Sequence, residues 1–215
     1  MLNSQSGFQL SKGRVAAASR APASELDMGE RNESMTVTTI PAEVSTAAGA
    51  ALPLVALPRA ELLTLNEQDL PLVRDVFGEG VHAKLLRLDI EGGCWVLLAT
   101  FSPGAVVPLH YHTGCAEVYT LAGSWHYREY PEQVQTAGSY LYEPSGSVHT
   151  FICPESNTED TVIFVRVEGA NVNFTEDGQF HSILDATLIQ FLVPQLAEAQ
   201  GLGPVEYIGG GNAAL

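Results

Sequence analysis

Short apolar runs separated by glycine and proline dominate the chain from residue 81 onward, and they predict β-strands. Residues 81–90 and 94–101 are two such runs, and Glu91-Gly92-Gly93 between them is typical of a hairpin turn. Five further runs follow, over residues 116–122, 124–130, 139–143, 148–153 and 161–167. Many short strands punctuated in this way predict an all-β sandwich or barrel over residues 81–184.

The two ends of the chain lack this alternation. Residues 1–50 are rich in Ala, Ser, Gly and Thr and are predicted to form a disordered leader, while residues 51–80 combine prolines with short apolar patches and are predicted to form an extended arm. Residues 185–215 are predicted to form a short C-terminal helix and a tail. The helix would run over residues 185–193 and begin a second turn at Pro194, and the glycines at 209–211 predict a mobile end.

Composition and charge exclude several classes of partner. The 215 residues are 46% hydrophobic and 16% charged, which suits one globular domain with tails. A formal net charge of −15 repels phosphate backbones and anionic lipids, so we expect neither nucleic acid nor membrane as a partner. Three cysteines without a CxxC pair favour a reducing, cytoplasmic location.

The first 24 residues leave the start of the mature protein open. They contain Lys12, Arg14 and Arg20 and no acidic residue, as an organellar targeting segment would. Translation from Met28 or Met35 is an equal alternative, so the sequence does not decide whether residues 1–34 belong to the mature protein.

The candidate chemistry begins with two histidines, His110 and His112. Because residues i and i+2 of a strand face the same side, both imidazoles can reach one interior point. Taken alone, a His-x-His pair is more often a pair of exposed side chains. The surrounding residues change this balance, since Gly104 and Gly123 flank the pair at fixed distances and a third histidine, His149, follows downstream.

These spacings resemble the two motifs of the cupin superfamily. The first motif, G-x5-H-x-H-x3or4-E-x6-G, matches residues 104–123 apart from its carboxylate, and the second, G-x5-P-x-G-x2-H-x3-N, matches residues 138–153 apart from its last position. The resemblance implies a double-stranded β-helix, also called a jelly-roll barrel, in which His110, His112 and His149 converge on one divalent metal ion.

Two departures from the cupin motifs affect the expected site. With Gly123 setting the register, the usual carboxylate position holds Ala116, and Glu117 one residue later points to the opposite face of the strand. The longer spacer of the motif admits Glu117 as a ligand, so this alternative stays open beside a site of three histidines. Cys153 replaces the final Asn, a change that we expect to affect packing.

Three neutral imidazoles suit several metals: Fe(II), Zn(II), Cu(II), Ni(II) and Mn(II). A site without a carboxylate retains one more positive charge than the usual cupin site. It therefore favours an anionic, chelating substrate such as an enolate.

Residues 69–200 further resemble the 2,4'-dihydroxyacetophenone dioxygenase family, which is related to acetylacetone-cleaving dioxygenase and to ChrR-like cupins. The stretches over residues 110–127 and 137–150 carry this resemblance. It implies a non-haem Fe(II) dioxygenase that cleaves a carbon–carbon bond of an α-hydroxyketone or β-dicarbonyl substrate with O2. Glu143 matches a position where acetylacetone-cleaving relatives carry a Glu behind the metal ligands. Here it would orient water or a ligand histidine, or assist enolisation, and a solvated acid before a turn is an equal alternative.

Several other residues are weaker candidates. Arg128 would steer an anionic substrate, although an exposed strand arginine is the commoner situation. The aromatic residues Tyr119, Trp125, Tyr127, Tyr140 and Tyr142 would line the substrate cavity or the barrel core. His82, His126 and His181 lack a motif and are expected at the surface, and Cys115 is expected to be a buried thiol rather than a fourth ligand.

The same barrel permits other functions. A non-catalytic ChrR-like sensor, holding Zn(II) for instance, and a metal-dependent isomerase are the alternatives, because cupin barrels host many chemistries. Related barrels pair through edge strands, so we expect a homodimer or a homotetramer.

Overall fold

The computed structural model describes residues 42–56 and 63–210, of which residues 42–56 form a β-hairpin in a unit of their own. Strands β1 (Ala42–Ser45) and β2 (Ala51–Ala56) pair antiparallel, and the Thr46 hydroxyl accepts a hydrogen bond from the Ala50 amide in the turn. Residues 42–50, which the sequence places in the predicted leader, belong to this hairpin, whose backbone pairing requires no apolar periodicity. For residues 1–41 that prediction lies outside the described residues.

The second unit contains the barrel, whose strands run from residue 81 to residue 184. A short 3-10 turn (Glu67–Asp69) precedes the barrel. The strands are β3 (Val81–Asp89), β4 (Cys94–Phe101), β5 (Val106–His112), β6 (Ala116–Ala122), β7 (Ser124–Tyr127), β8 (Tyr130–Thr136), β9 (Tyr140–Glu143), β10 (Val148–Ile152), β11 (Thr161–Glu168), β12 (Asn171–Phe174) and β13 (Phe180–Leu184). Helix α1 (Ala186–Ala199) and strand β14 (Ile208–Gly209) follow.

The strands form two six-stranded sheets. Sheet I has the order β13-β12-β5-β10-β7-β8, and sheet II has the order β14-β3-β4-β11-β6-β9. From β4 to β12 the chain crosses repeatedly between the two sheets, which is the connectivity of a jelly roll. The predicted all-β cupin barrel with a C-terminal helix is thus confirmed.

Apolar side chains from both sheets meet between them. One cluster joins Phe101 and Ile163 of sheet II to Trp125 and Phe151 of sheet I. Phe151 stacks on both Phe101 and Trp125, with ring centroids 4.2 and 4.7 Å apart. Because these side chains come from the inner faces of both sheets, their packing joins the two sheets into one barrel.

Residues 63–80 belong to the predicted arm, and they pack onto the barrel. Leu70, Val73 and Val76 are buried, and Val73 exchanges two backbone hydrogen bonds with Ala83 of β3. Residues 57–62 of the arm lie outside the described residues.

Helix α1 is one continuous helix rather than a helix that restarts at Pro194. The Asp185 side chain caps its start by accepting a hydrogen bond from the Leu188 amide, and Pro194 lies within it. A proline in a helix removes one backbone hydrogen bond. Burial of Ile189 and Val193 against the barrel offsets this loss. In the described part of the chain, no helix has the length and hydrophobicity needed to cross a membrane.

Strands β8, β12, β13 and β14 were not among the runs predicted from the sequence, and β8 and β14 lack a buried apolar face. Strand β8 follows the predicted run that begins at Ser124. It is an exposed strand at the edge of its sheet and contains Pro131, a residue that edge strands tolerate. Strand β14 pairs in parallel with β3, so the predicted mobile tail is wrong for Gly209 and Gly210. The Gly210 backbone approaches Asp89 so closely that a Cβ there would collide with it, which explains the glycine.

Candidate metal centre

Strands β5 and β10 of sheet I bring the three motif histidines together. His110 and His112 alternate with exposed Tyr111 along β5, so both imidazoles point into the barrel. His149 on β10 is the direct cross-strand partner of His110. All three side chains are at least 95% buried, and their candidate ligand nitrogens lie within 4.8 Å of one another. The three histidines therefore form a candidate metal site, as the motif spacing predicts.

The backbone sets which nitrogen of His110 faces the site. Its Nδ1 lies 2.8 Å from the Pro108 carbonyl oxygen, which can only accept, so Nδ1 carries the hydrogen and Nε2 keeps its lone pair. Burial lowers the pKa of His110 to about 4, which keeps the imidazole neutral near pH 7. A neutral imidazole with a free Nε2, fixed by a backbone carbonyl behind it, is the form that binds metals.

Glu143, the last residue of β9, delivers a carboxylate to the same point from sheet II. Its Oε2 lies 2.9 Å from His112 Nε2 and 3.4 Å from His149 Nε2, and the Tyr127 hydroxyl donates a hydrogen bond to its Oε1. Burial acts to raise the pKa of Glu143, but the two close imidazoles outweigh it and hold the pKa well below its usual range. The carboxylate is therefore ionised although it is buried.

Aromatic packing fixes this part of the site. The Tyr127 ring stacks on the His149 ring with centroids 3.9 Å apart. Burial, followed by the negative charge of Glu143, raises the pKa of Tyr127 well above its usual value. The tyrosine thus stays protonated and donates to the carboxylate.

A divalent metal ion fits these residues. His112 Nε2, His149 Nε2 and Glu143 Oε2 are buried, yet none of them makes a hydrogen bond. Buried polar atoms without partners are costly and call for an explanation, such as a bound ion. Three nitrogen lone pairs and one carboxylate oxygen are donors that divalent transition metals accept.

Glu117 lies on the opposite face of β6, as strand alternation predicts. Its carboxylate accepts hydrogen bonds from Tyr140 and from Arg166, 3.0 and 3.3 Å away on the outer side of sheet II. Its neighbour Ala116 is fully buried and faces inward. The structure therefore removes Glu117 as a candidate ligand.

Other candidates from the sequence lie away from the site. The Arg128 guanidinium is half-exposed and pairs with Glu176 at 3.3 Å, so the structure does not bring it to the histidines. Cys115 is only partly buried, contrary to expectation, and its thiol contacts Glu168. The expected surface position is wrong for His82, which is buried and accepts a hydrogen bond from the Asp75 amide.

His110, His112 and Glu143 line an apolar cavity of about 90 Å³ between the sheets. Of the five aromatic residues predicted to line a cavity or core, Trp125 and Tyr127 line it, whereas Tyr119, Tyr140 and Tyr142 are exposed. Phe77, Val107, Asn171 and Leu184 also border an adjoining cavity of about 500 Å³ that extends to α1. These four residues form a neck between the inner and the outer cavity.

Two polar cavity residues were not found from the sequence, Trp95 and Asn171. The Trp95 indole nitrogen and the Asn171 side-chain oxygen are buried and make no hydrogen bond. Asn171 on β12 is the cross-strand partner of the ligand-bearing position His112, whereas Trp95 is on β4 of sheet II. No motif marks either residue, and only a known strand register would have identified Asn171.

Comparisons with known proteins extend the picture. A family model of the ChrR cupin-like domain matches residues 67–170. A crystal structure from Ralstonia eutropha JMP134, of a protein of unknown function with a cupin-like fold, is 39% identical and covers 73% of this chain and 97% of that one, with a TM-score of 0.68. A comparison with curated proteins finds no match.

Two further structures share the fold at lower identity. An RmlC-like cupin from the same organism is 25% identical, covers 68% of this chain and 93% of that one, and has a TM-score of 0.62. An acetylacetone dioxygenase from Acinetobacter johnsonii is 18% identical, covers 61% and 89%, and has a TM-score of 0.52.

Proposed function

Because the chain belongs to the cupin superfamily and carries a ChrR cupin-like domain, we propose that it is a dioxygenase that splits a carbon–carbon bond of a ketone with O2. The metal is Fe(II), and the substrate is an α-hydroxyketone or a β-dicarbonyl. One observation carries the proposal: three buried histidines and an ionised Glu143 meet beside an apolar cavity, which His110, His112 and Glu143 line. The acetylacetone dioxygenase neighbour, at 18% identity, supports the fold and not the activity.

The chemistry of the proposed reaction balances without a further reductant. An α-hydroxyketone R–CO–CH2OH and O2 contain the same atoms as the two acids R–COOH and HCOOH, and the bond between the carbonyl carbon and its neighbour is the one that breaks. The bound metal ion supplies Lewis acidity toward the substrate oxygens and a redox centre for O2.

The protein supplies binding, orientation and exclusion of water. His110, His112 and His149 would hold the metal, and His110 and His112 also border the cavity that would receive the substrate. The apolar walls accept a hydrocarbon or aromatic body, and the unpaired Trp95 N–H and Asn171 oxygen are available to polar groups on the substrate. Phe77 and Leu184 place apolar side chains where the inner and the outer cavity adjoin.

Oxygen consumption tests this function. Protein reconstituted with Fe(II) without air is mixed with 2,4'-dihydroxyacetophenone, 2-hydroxyacetophenone or acetylacetone, and O2 uptake and acid products are followed. We expect one O2 consumed per substrate cleaved, and none with His149→Ala. Absence of uptake with all three compounds, at full iron occupancy, contradicts the proposal.

A second candidate function is a metal-binding sensor, which the match to the ChrR cupin-like domain favours. Purified protein would then retain stoichiometric zinc and consume no O2. Product formation in the absence of O2 would instead indicate an isomerase on the same barrel.

We also propose that the protein is a homodimer or a homotetramer. Strand β9 is the edge of sheet II, and Tyr140 and Tyr142 on it, with Tyr119 on β6, are between 44% and 60% exposed. Exposed aromatic groups beside an edge strand favour pairing with a second copy. Light scattering on the purified protein should give at least twice the mass of one chain, and a monomer refutes the proposal.

A further inference from the structure

We propose that Glu143 is a fourth protein ligand of the metal, and that it supplies from β9 the carboxylate that the cupin motif places at position 116. This inference rests on the proposed metal site. It replaces the role expected for Glu143 from the sequence, in which it contacts a ligand, water or the substrate without touching the metal.

Strand register provides the first argument. Ala116 on β6 and Glu143 on β9 are direct cross-strand partners, and both side chains are buried on the inner face. Directly opposed residues have Cβ atoms about 4.5–5.5 Å apart, a distance that a glutamate side chain spans. The space that a glutamate at 116 would occupy is therefore open to the carboxylate of its neighbour.

The distances provide the second argument. Transition-metal bonds to imidazole nitrogen and carboxylate oxygen measure about 2.0–2.2 Å, so two such ligands at tetrahedral or octahedral angles lie about 2.8–3.6 Å apart. The Glu143 Oε2 lies 2.9 Å from His112 Nε2 and 3.4 Å from His149 Nε2. These separations are those of ligand atoms on a common ion, and no other group among the described residues engages Oε2.

The other carboxylate oxygen is already engaged. Tyr127 donates to Oε1, which leaves Oε2 for the metal and orients the carboxylate for a single bond to it. Such a hydrogen bond behind a ligand is a usual feature of metal sites. Tyr127 also stacks on His149, so one side chain positions two ligands.

The extra ligand changes the charge of the site and sharpens the substrate class. Three neutral histidines and one carboxylate leave a divalent ion with a net charge of +1, whereas three histidines alone leave +2. A substrate bound as a singly charged enolate or alkoxide then gives a neutral complex. Neutrality suits an apolar cavity, where an uncompensated charge is costly.

Metal affinity tests the inference separately from catalysis. Dissociation constants for Zn(II) and Co(II) are measured by competition with a chromophoric chelator, for the wild type, Glu143→Gln and the outward-facing control Glu117→Gln. We expect Glu143→Gln to weaken binding by at least about 10-fold and to alter the Co(II) absorption spectrum, and Glu117→Gln to leave both unchanged. Circular dichroism confirms that the variants fold.

A relocated carboxylate provides the decisive variant. The double substitution Ala116→Glu with Glu143→Ala moves the ligand to the usual motif position and should recover most of the affinity lost in Glu143→Ala. Glu143→Gln with wild-type affinity and an unchanged Co(II) spectrum overturns the inference while the three-histidine site stands. A wild type that binds neither metal overturns the site itself, and metal binding without O2 uptake overturns only the dioxygenase.

Discussion

The inner and outer faces of strands β6 and β9 place two glutamates in opposite surroundings. Glu117 faces outward, where Arg166 and water share its charge, while Glu143 faces inward among two imidazoles and a tyrosine. Both are acids on neighbouring strands of one sheet. An exposed ion pair is replaced easily by hydration, whereas a buried carboxylate must find its partners within the fold. Of the two glutamates, Glu143 on the inner face is therefore the one placed to take part in the chemistry of the site.

Substitutions in the core of the inner face should have the largest effect on the free energy of unfolding. Trp125 is fully buried, stacks on Phe151 and donates a hydrogen bond to Thr120. Trp125→Ala should lower the free energy of unfolding by about 3–5 kcal/mol, because it leaves a large cavity. Denaturant titration measures the loss. The exposed Val134→Ala, on β8 of the same sheet, should change it by less than about 0.5 kcal/mol, and equal effects would contradict the assignment of faces.

The next largest effect is expected at the metal ligands. His149→Ala should weaken metal binding by roughly 100-fold or more, above the 10–100-fold typical of residues behind the ligands. His126→Ala is the matched control, because His126 lies on the outward-facing side of β7 in the same sheet. Metal analysis of the dialysed proteins gives the result. Full occupancy in the His149 variant would remove this histidine from the site.

Removal of the metal should lower the free energy of unfolding, because the metal is bound by ligands on the inner face. With free metal at 100 times its dissociation constant, binding adds about 2.7 kcal/mol to the free energy of unfolding, and a chelator should abolish this gain. Thermal melts with and without chelator measure the difference. His149→Ala protein should melt at one temperature in both conditions. A wild type that loses its metal without a shift would show that the unfolded chain binds the metal as tightly as the folded protein, and would contradict a site built by the fold.

The smallest effect is expected on the outer face. Glu117→Gln removes the partly exposed pair with Arg166 and should cost no more than about 1 kcal/mol, an amount that high salt further reduces. Arg166 keeps its contact with Glu168 at 2.6 Å. Denaturant titrations at low and high salt check this, and a large, salt-independent loss would show that Glu117 has a structural role beyond its charge.

Local patterns were sufficient for much of the fold. Alternating burial along β6, and the turn residues between β3 and β4, are properties of a few consecutive residues, and they predicted strands at the right places. The convergence of His110 and His112 followed from the period of a strand. Strand β8 was not predicted because it is exposed along its length, and β14 was not predicted because backbone pairing with β3 holds it.

The role of Glu143 depended on contacts that no local pattern encodes. Its position was noted from the resemblance to acetylacetone-cleaving relatives, but its contact with His112 and its pairing with Ala116 join segments far apart in the sequence. Asn171 was missed for the same reason, since only the pairing of β12 with β5 places it beside His112.

The sequence by itself determined the barrel and the inward direction of the three histidines and favoured an outward Glu117, because the two-residue period of a strand is set by covalent geometry. Only the tertiary structure decided which carboxylate meets the histidines and which polar groups line the cavity. Register between distant strands follows from the packing of the whole core, so it becomes visible only when the sheets are assembled.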